Sequence, residues 1–393
     1  MRTLYETLLE SAGHLQNELI QFRRHLRRNP ELSWQEHGTS SFIQQQLEKH
    51  KIPFRKGFAV HGIAVDIETP TGPRSRIAWR ADIDALPIQD TIQTSYASMN
   101  TGVAHACGHD VHTTIAYGIA RVLSIHNNAL NRPVRIFWQP AEETLPSGAP
   151  AMIDSGILDQ VEAVMAIHVD PTRKVSTFGI RSGAETAAVD TFTITVEAEA
   201  TAHSARPYTG KDTIWILNQI LNYLYSFGER TTDVRHPSVL SVCQLNGGFA
   251  PNVIPKSVHC TGTIRTTTQT QRTYYQTTIQ TYIDLMAKAH GVHIFLEWKP
   301  GSPAVVNDAH LATYAQQTLT EIYGPQALDM GEPSLGAEDF AYYQQKVPGL
   351  FMRVGSQSSS QTAYPLHSSH FDIDEEILAP TVAFAATLLA HYH

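Results

Sequence analysis

Cysteine is scarce. Three in 393 residues exclude a disulfide-stapled scaffold and leave free thiols for chemistry or metal. Charged residues make up only 17%, the net charge is −8, and no Lys/Arg run exceeds a few residues, which excludes a general grip on nucleic acid. No stretch reaches about 18 consecutive apolar residues, so no membrane-spanning helix is expected. The first 30 residues have spaced apolar side chains and no small-residue cleavage site after them, so no secretory leader is expected and a cytoplasmic location is. Internal repeats and low-complexity tracts are missing, and 42% hydrophobic residues suffice for a core, which excludes disorder. Histidine, by contrast, is plentiful at 20 residues.

The apolar pattern predicts an α/β protein. Leu4, Leu8, Ala12, Leu15, Leu19, Phe22 and Leu26 form one helical stripe, stopped at Asn29-Pro30. A second helix is expected near 36–50. Short apolar runs then alternate with helical stretches at 110–126 and 148–157. The runs are Ile77–Trp79, Val134–Trp138 and Val161–Ile167, and each leads into polar residues, where sites form in such sheets. From Asp190 to Glu199 the texture changes to strict alternation, with Phe192, Ile194, Val196 and Ala198 on one face. A helix near 211–227, strands near 238–246 and 257–266, a helix near 269–289 and a strand near 292–298 complete a β-α-β-β-α-β order, the ferredoxin-like unit. In the first of those helices Ile214, Leu217, Leu221 and Leu224 fall on one side. After Pro300 the α/β texture returns, ending in a helix near 375–391.

Chemistry concentrates in a few places. His105-Ala106-Cys107-Gly108-His109-Asp110-Val111-His112 packs three His, one Cys and one Asp into eight residues. Thiolate and imidazole suit zinc and its transition-metal neighbours, and Gly108 lets the flanking side chains converge. The residues alone leave open a polar loop before a helix, with Asp110 as its N-cap. Glu142-Glu143 follows a buried strand. Adjacent carboxylates on an extended chain point apart, so one can bind metal while the other serves as general base. His168 and His367 close apolar runs and gain weight only beside that cluster. His203, Asn252 and Arg265, in the inserted region, read from spacing alone as loop, turn and surface residues.

RADIDALP (80–87), HACGHDVHT (105–113), QPAEE (139–143), His168, HSARP (203–207), GGFAPNVIP (247–255), GTIRT (262–266), GAEDFAYY (336–343) and LHSSHFDID (366–374) together resemble the M20 family of metallopeptidases and amidohydrolases. The nearest group is the N-acyl-amino-acid amidohydrolases, which includes hippurate and auxin-conjugate hydrolases. The resemblance implies a metallo-exopeptidase-like catalytic domain, a mixed sheet flanked by helices, over 1–180 and 300–393. It also implies an inserted lid and dimerisation domain over 181–299. Cys107, His109, Glu143, His168 and His367 match the ligands of a two-metal centre, Glu142 the general acid/base, and Asp82 a carboxylate that orients a ligand. His203 matches a lid His that reaches the partner subunit's active site in dimeric relatives and holds the oxyanion. Asn252 and Arg265 match groups that hold the substrate's free carboxylate.

The implied cofactors are two divalent ions per subunit, zinc or manganese, with nickel or cobalt as alternatives. The implied substrate is a small N-acyl amino acid, with no nucleic acid or membrane partner and a homodimer through the lid. A dipeptidase or carboxypeptidase, or a deacylase of a biosynthetic intermediate, is the alternative within the family. A non-enzymatic binding protein on the same fold would be expected to lack Glu142 or a ligand, and all are present. The sequence departs from the subfamily's glycine-rich pattern at Thr144-Leu145-Pro146-Ser147 and at Glu199-Ala200-Thr201-Ala202, which leaves the substrate open.

Overall fold

Four strands of parallel sheet carry the centre of the first unit: Val134–Gln139, Arg76–Asp82, Val161–Lys174 and Gly349–Gln357, in that spatial order. Antiparallel strands extend it on both sides, Gly62–Ile67 and Arg55–Phe58 at one edge and Phe178–Gly179 at the other. The computed structural model describes residues 2–70 and 74–393. All six residues of Val134–Gln139 are buried, as a strand covered on both faces requires. Parallel register sets Asp82 beside Gln139, so two strands end level at their carboxyl ends. The strand expected to stop at His168 instead runs on to Lys174, because Val169 is buried and pairs with Val354. His168 is therefore a mid-strand residue.

Helices cover the sheet. His109–Ile125 is buried along most of its length, and the Ala-rich helix Leu378–His391 packs against it. The N-terminal stripe is carried by two helices, Arg2–His14 and Gln16–Arg28, rather than one. The break falls at Leu15, two residues after Gly13, a poor helix former, while Leu8, Ala12, Leu19, Phe22 and Leu26 remain buried across it. The helix expected over 148–157 is shorter, Gly148–Asp154.

Arg23 and Arg27 lie one turn apart and are fully buried. Buried charges need partners, and here these come from loops far along the chain. Arg23 donates to Asp110 at 2.7 Å and Asp372 at 2.6 Å; Arg27 donates to the carbonyls of His105 and Phe371, both at 2.7 Å.

The chain divides into two compact units, Met1–Gly183 with Val306–Glu332 and Asp339–His393, and Ala184–Val305 with Pro333–Glu338. The second holds a four-stranded antiparallel sheet in the spatial order Ser238–Gly247, Ser257–Thr266, Ala188–Glu197, His293–Pro300. With helices Thr213–Thr231 and Gln269–His290, this is the ferredoxin-like arrangement. Its own core includes Phe192, Ile194, Val196, Ile220 and Ile279. The helix Thr213–Thr231 buries Ile216, Leu217, Ile220 and Leu224, while Ile214 at its start is exposed. The segment Pro333–Glu338 joins this unit through Ser334 N–H to the Glu185 carbonyl at 2.9 Å and Arg265 Nη1 to the Leu335 carbonyl at 2.7 Å. Among the described residues no helix is long and apolar enough to cross a membrane.

Candidate metal centre

Gly108 makes the Cys/His loop possible. Its φ is +83°, a left-handed conformation, and a Cβ there would lie 2.3 Å from Val169 Cγ2. It is the residue before helix His109–Ile125, so Cys107 stands on the loop and His109 on the first turn. Asp110 is not the N-cap: it is buried in that turn and pairs with Arg23.

Two imidazoles are oriented with one nitrogen available. His109 Nδ1 lies 2.9 Å from the Asp84 carbonyl and 3.1 Å from Asp84 Oδ1, which places the proton on Nδ1. Its Nε2 is buried with no hydrogen-bond partner. His168 Nδ1 lies 2.7 Å from the Val169 carbonyl, and its Nε2 faces Cys107 Sγ at 3.5 Å. His367 is exposed, has φ +64°, and its Nε2 lies 3.4 Å from Glu143 Oε1. Its backbone N–H donates to the Ala106 carbonyl at 2.8 Å, which holds the His367 loop against the Cys/His loop.

The carboxylate pair does not lie on extended chain. Residues 142–146 are bent, and Ala141 has φ +55°, a conformation that costs a non-glycine residue about 1–2 kcal/mol. The pair therefore converges instead of pointing apart: His109, Glu142 and Glu143 each offer a donor atom within 4.8 Å of the others. Glu142 Oε1 accepts the Asp339 N–H at 3.4 Å. Glu143 Oε1 is buried and faces two imidazoles, His367 Nε2 at 3.4 Å and His109 Nε2 at 3.8 Å.

Asp82 engages His112, an imidazole with no expected ligand role. Asp82 Oδ1 accepts from His112 Nδ1 at 2.7 Å, and the Val169 N–H donates to His112 Nε2 at 3.0 Å, so both nitrogens are committed. Asp82 Oδ2 comes within 3.7 Å of His109 Nε2. The carboxylate that orients His109 is Asp84, marked in the sequence only as a second Asp two residues beyond the strand end. Arg80, Gln139 and Asp339 complete a buried network behind the site: Arg80 Nη2 donates to Asp339 at 2.7 Å and Arg80 Nε to Gln139 at 2.9 Å.

The electrostatics favour a cation. Burial opposes charge on His109, but Asp82, Asp84 and Glu143 push its pKa up to about 10. Burial, then Glu143 and Glu142, push the Cys107 thiol well above its usual range. Burial, with His112 beside it, holds His168 well below the usual imidazole range. A field that disfavours thiolate in the metal-free protein attracts a divalent ion, whose charge reverses the balance. Two triads share Cys107: with His109 and His168, and with Glu143 and His367, donor atoms in each lying within 4.8 Å of one another. With His109 Nε2 making no hydrogen bond and Glu143 Oε1 lying between His109 and His367, the donor set fits two neighbouring divalent ions.

The remaining expected residues belong to the second unit. His203 and Asn252 are exposed and brought together there: His203 pairs with Val253, and Ser204 N–H donates to the Asn252 carbonyl at 3.1 Å. Arg265 is half-buried on the strand Ser257–Thr266.

Residues 78–391 match the family described as Peptidase family M20/M25/M40. The chain is 35% identical over 362 residues to N-acetyl-L-cysteine deacetylase of Bacillus subtilis, covering 92% of this chain and 85% of the relative. It is 31% identical to thermostable carboxypeptidase 2 of Saccharolobus solfataricus, covering 98% of each. Among solved structures, the YXEP protein of Bacillus subtilis, a dinuclear metal binding peptidase from the M20 family, superposes with a TM-score of 0.85 at 31% identity. That likeness covers 96% of this chain and 98% of the other.

Proposed function

The chain belongs to peptidase family M20/M25/M40 and is a metal-dependent amidohydrolase; on that premise we propose that it cleaves the amide bond of N-acyl amino acids, releasing a carboxylic acid and a free amino acid. The observation that carries this reading is the pair of donor triads sharing Cys107, with the Glu142 carboxylate in a third group around His109. Cys107, His109, Glu143, His168 and His367 hold two divalent ions, zinc or manganese, with nickel or cobalt as alternatives. Bound there, such ions lower the pKa of the attacking water and polarise the amide carbonyl. Glu142 takes a proton from that water and delivers it to the leaving nitrogen. Asp84 keeps His109 in the tautomer that presents Nε2, and Asp82 acts on the same cluster through His112. From the second unit we assign His203 to the oxyanion, and Asn252 and Arg265 to the substrate's free carboxylate, which Arg suits by its forked geometry. The same reading makes the protein cytoplasmic and a homodimer through the inserted unit.

Carboxypeptidase or dipeptidase action is the second reading, supported by the similarity to a thermostable carboxypeptidase. A panel of acetyl-, benzoyl- and indoleacyl-amino acids beside dipeptides, assayed on apo-protein reloaded with single metals, separates the two. Turnover confined to dipeptides overturns the N-acyl reading.

A further inference from the structure

Glu36 is fully buried, directly precedes the helix His37–Lys49, and has no part in the chemistry above. Its Oε1 accepts the N–H of Ala141 at 2.8 Å, and its Oε2 is buried without a hydrogen-bond partner. Ala141 is the left-handed residue just before Glu142. Its carbonyl accepts the Gly148 N–H at 2.7 Å, so the Ala141 backbone is held on both sides. Glycine is required at that second contact, since a Cβ on Gly148 would lie 1.8 Å from the Pro140 carbonyl oxygen.

The surrounding turn grips the same loop. Trp34 Nε1 donates to the Pro146 carbonyl at 3.0 Å. Ser33 Oγ donates to Asp84 Oδ2 at 2.7 Å, the oxygen that also accepts the Glu143 N–H at 3.0 Å. Glu142 thus stands between two backbone amides, at 141 and 143, each held by a buried carboxylate.

We infer that Glu36 is a positioning residue: by holding the N–H of left-handed Ala141 it aims the Glu142 carboxylate at the reacting water. The inference rests on the reading of Glu142 as general base. Burial and the neighbouring Asp84 push the Glu36 carboxyl up to about 7, which suits an acceptor whose task does not depend on its charge.

The test compares Glu36→Gln, Glu36→Asp and Glu36→Asp/Ala141→Gly by kcat, KM and metal content, on the N-acyl amino acid turned over fastest in the panel. Gln keeps the acceptor at full reach without charge, whereas Asp keeps the charge and withdraws the acceptor by one methylene. Gln is expected to stay within about threefold of wild type, and Asp to lose about tenfold or more in kcat with KM and metal content little changed. Ala141→Gly, which adopts the left-handed conformation without a clamp, is expected to restore part of that loss. Wild-type kcat in Glu36→Asp, or a Gln variant as impaired as Asp, overturns the inference. Glu142→Gln is assayed alongside: full turnover there overturns the general-base reading itself, whereas lost turnover there with an unaffected Glu36→Asp overturns only the role of Glu36.

Discussion

Asp84 joins His109 to Glu143: one carboxylate oxygen lies 3.1 Å from His109 Nδ1, and the other accepts the Glu143 backbone N–H at 3.0 Å. A single buried side chain thereby sets the tautomer of one proposed ligand and the backbone position of another. Removing such a partner typically weakens metal binding by about 10–100-fold. Asp84→Ala is expected to lose metal in that range, read by competition with a chelator, and to regain part of its turnover at high metal concentration.

Gly108→Ala tests the loop that brings Cys107 and His109 together. The added methyl group meets Val169 Cγ2 and stands at a φ of +83°. Strain and overpacking together are expected to cost about 2 kcal/mol or more. Urea denaturation of the metal-free protein measures this, and metal titration of the same variant should show weaker binding.

Much of this site was legible because its chemistry is local in sequence. Cys107, His109 and the Glu pair announce themselves by residue type and spacing, and the structure sets their donor atoms side by side. The alternating strand Ala188–Glu197 was equally readable, since one wet face leaves a period of two. The features that sequence pattern does not show depend on partners far along the chain. Arg23 meets Asp372 across 349 positions, and periodicity reports only that a face is buried, not that a buried arginine has found carboxylates. Asp84 and Glu36 read as ordinary polar residues until the segments they clamp are in place. Pro333–Glu338 joins the second unit through hydrogen bonds to its own backbone groups, which leave no mark on composition.

His105 gives a pH-dependent test. It is buried, neither ring nitrogen has a hydrogen-bond partner, and burial lowers its pKa to about 4 from 6.5. The unfolded chain therefore takes up this proton near pH 6.5 and the folded protein only near pH 4. Its contribution to stability is full above about 6.5 and is lost as pH falls towards 4. Glu36, raised to about 7, acts in the opposite direction over much of this window, so the readout is a difference. Between pH 7 and pH 5 the metal-free wild type is expected to lose about 2 kcal/mol more stability than His105→Leu. Equal losses in urea denaturation would sink this assignment.

Turnover and metal content in Glu142→Gln decide whether Glu142 is the general base beside a two-ion centre. A loss of about 10²–10⁴-fold in kcat on N-acyl amino acids is expected, with two ions still bound per chain, because the proposed role of Glu142 is to handle the proton and that of Cys107, His109, Glu143, His168 and His367 is to hold the metals. Near-wild-type turnover in that variant, or loss of the metals along with activity, would contradict it.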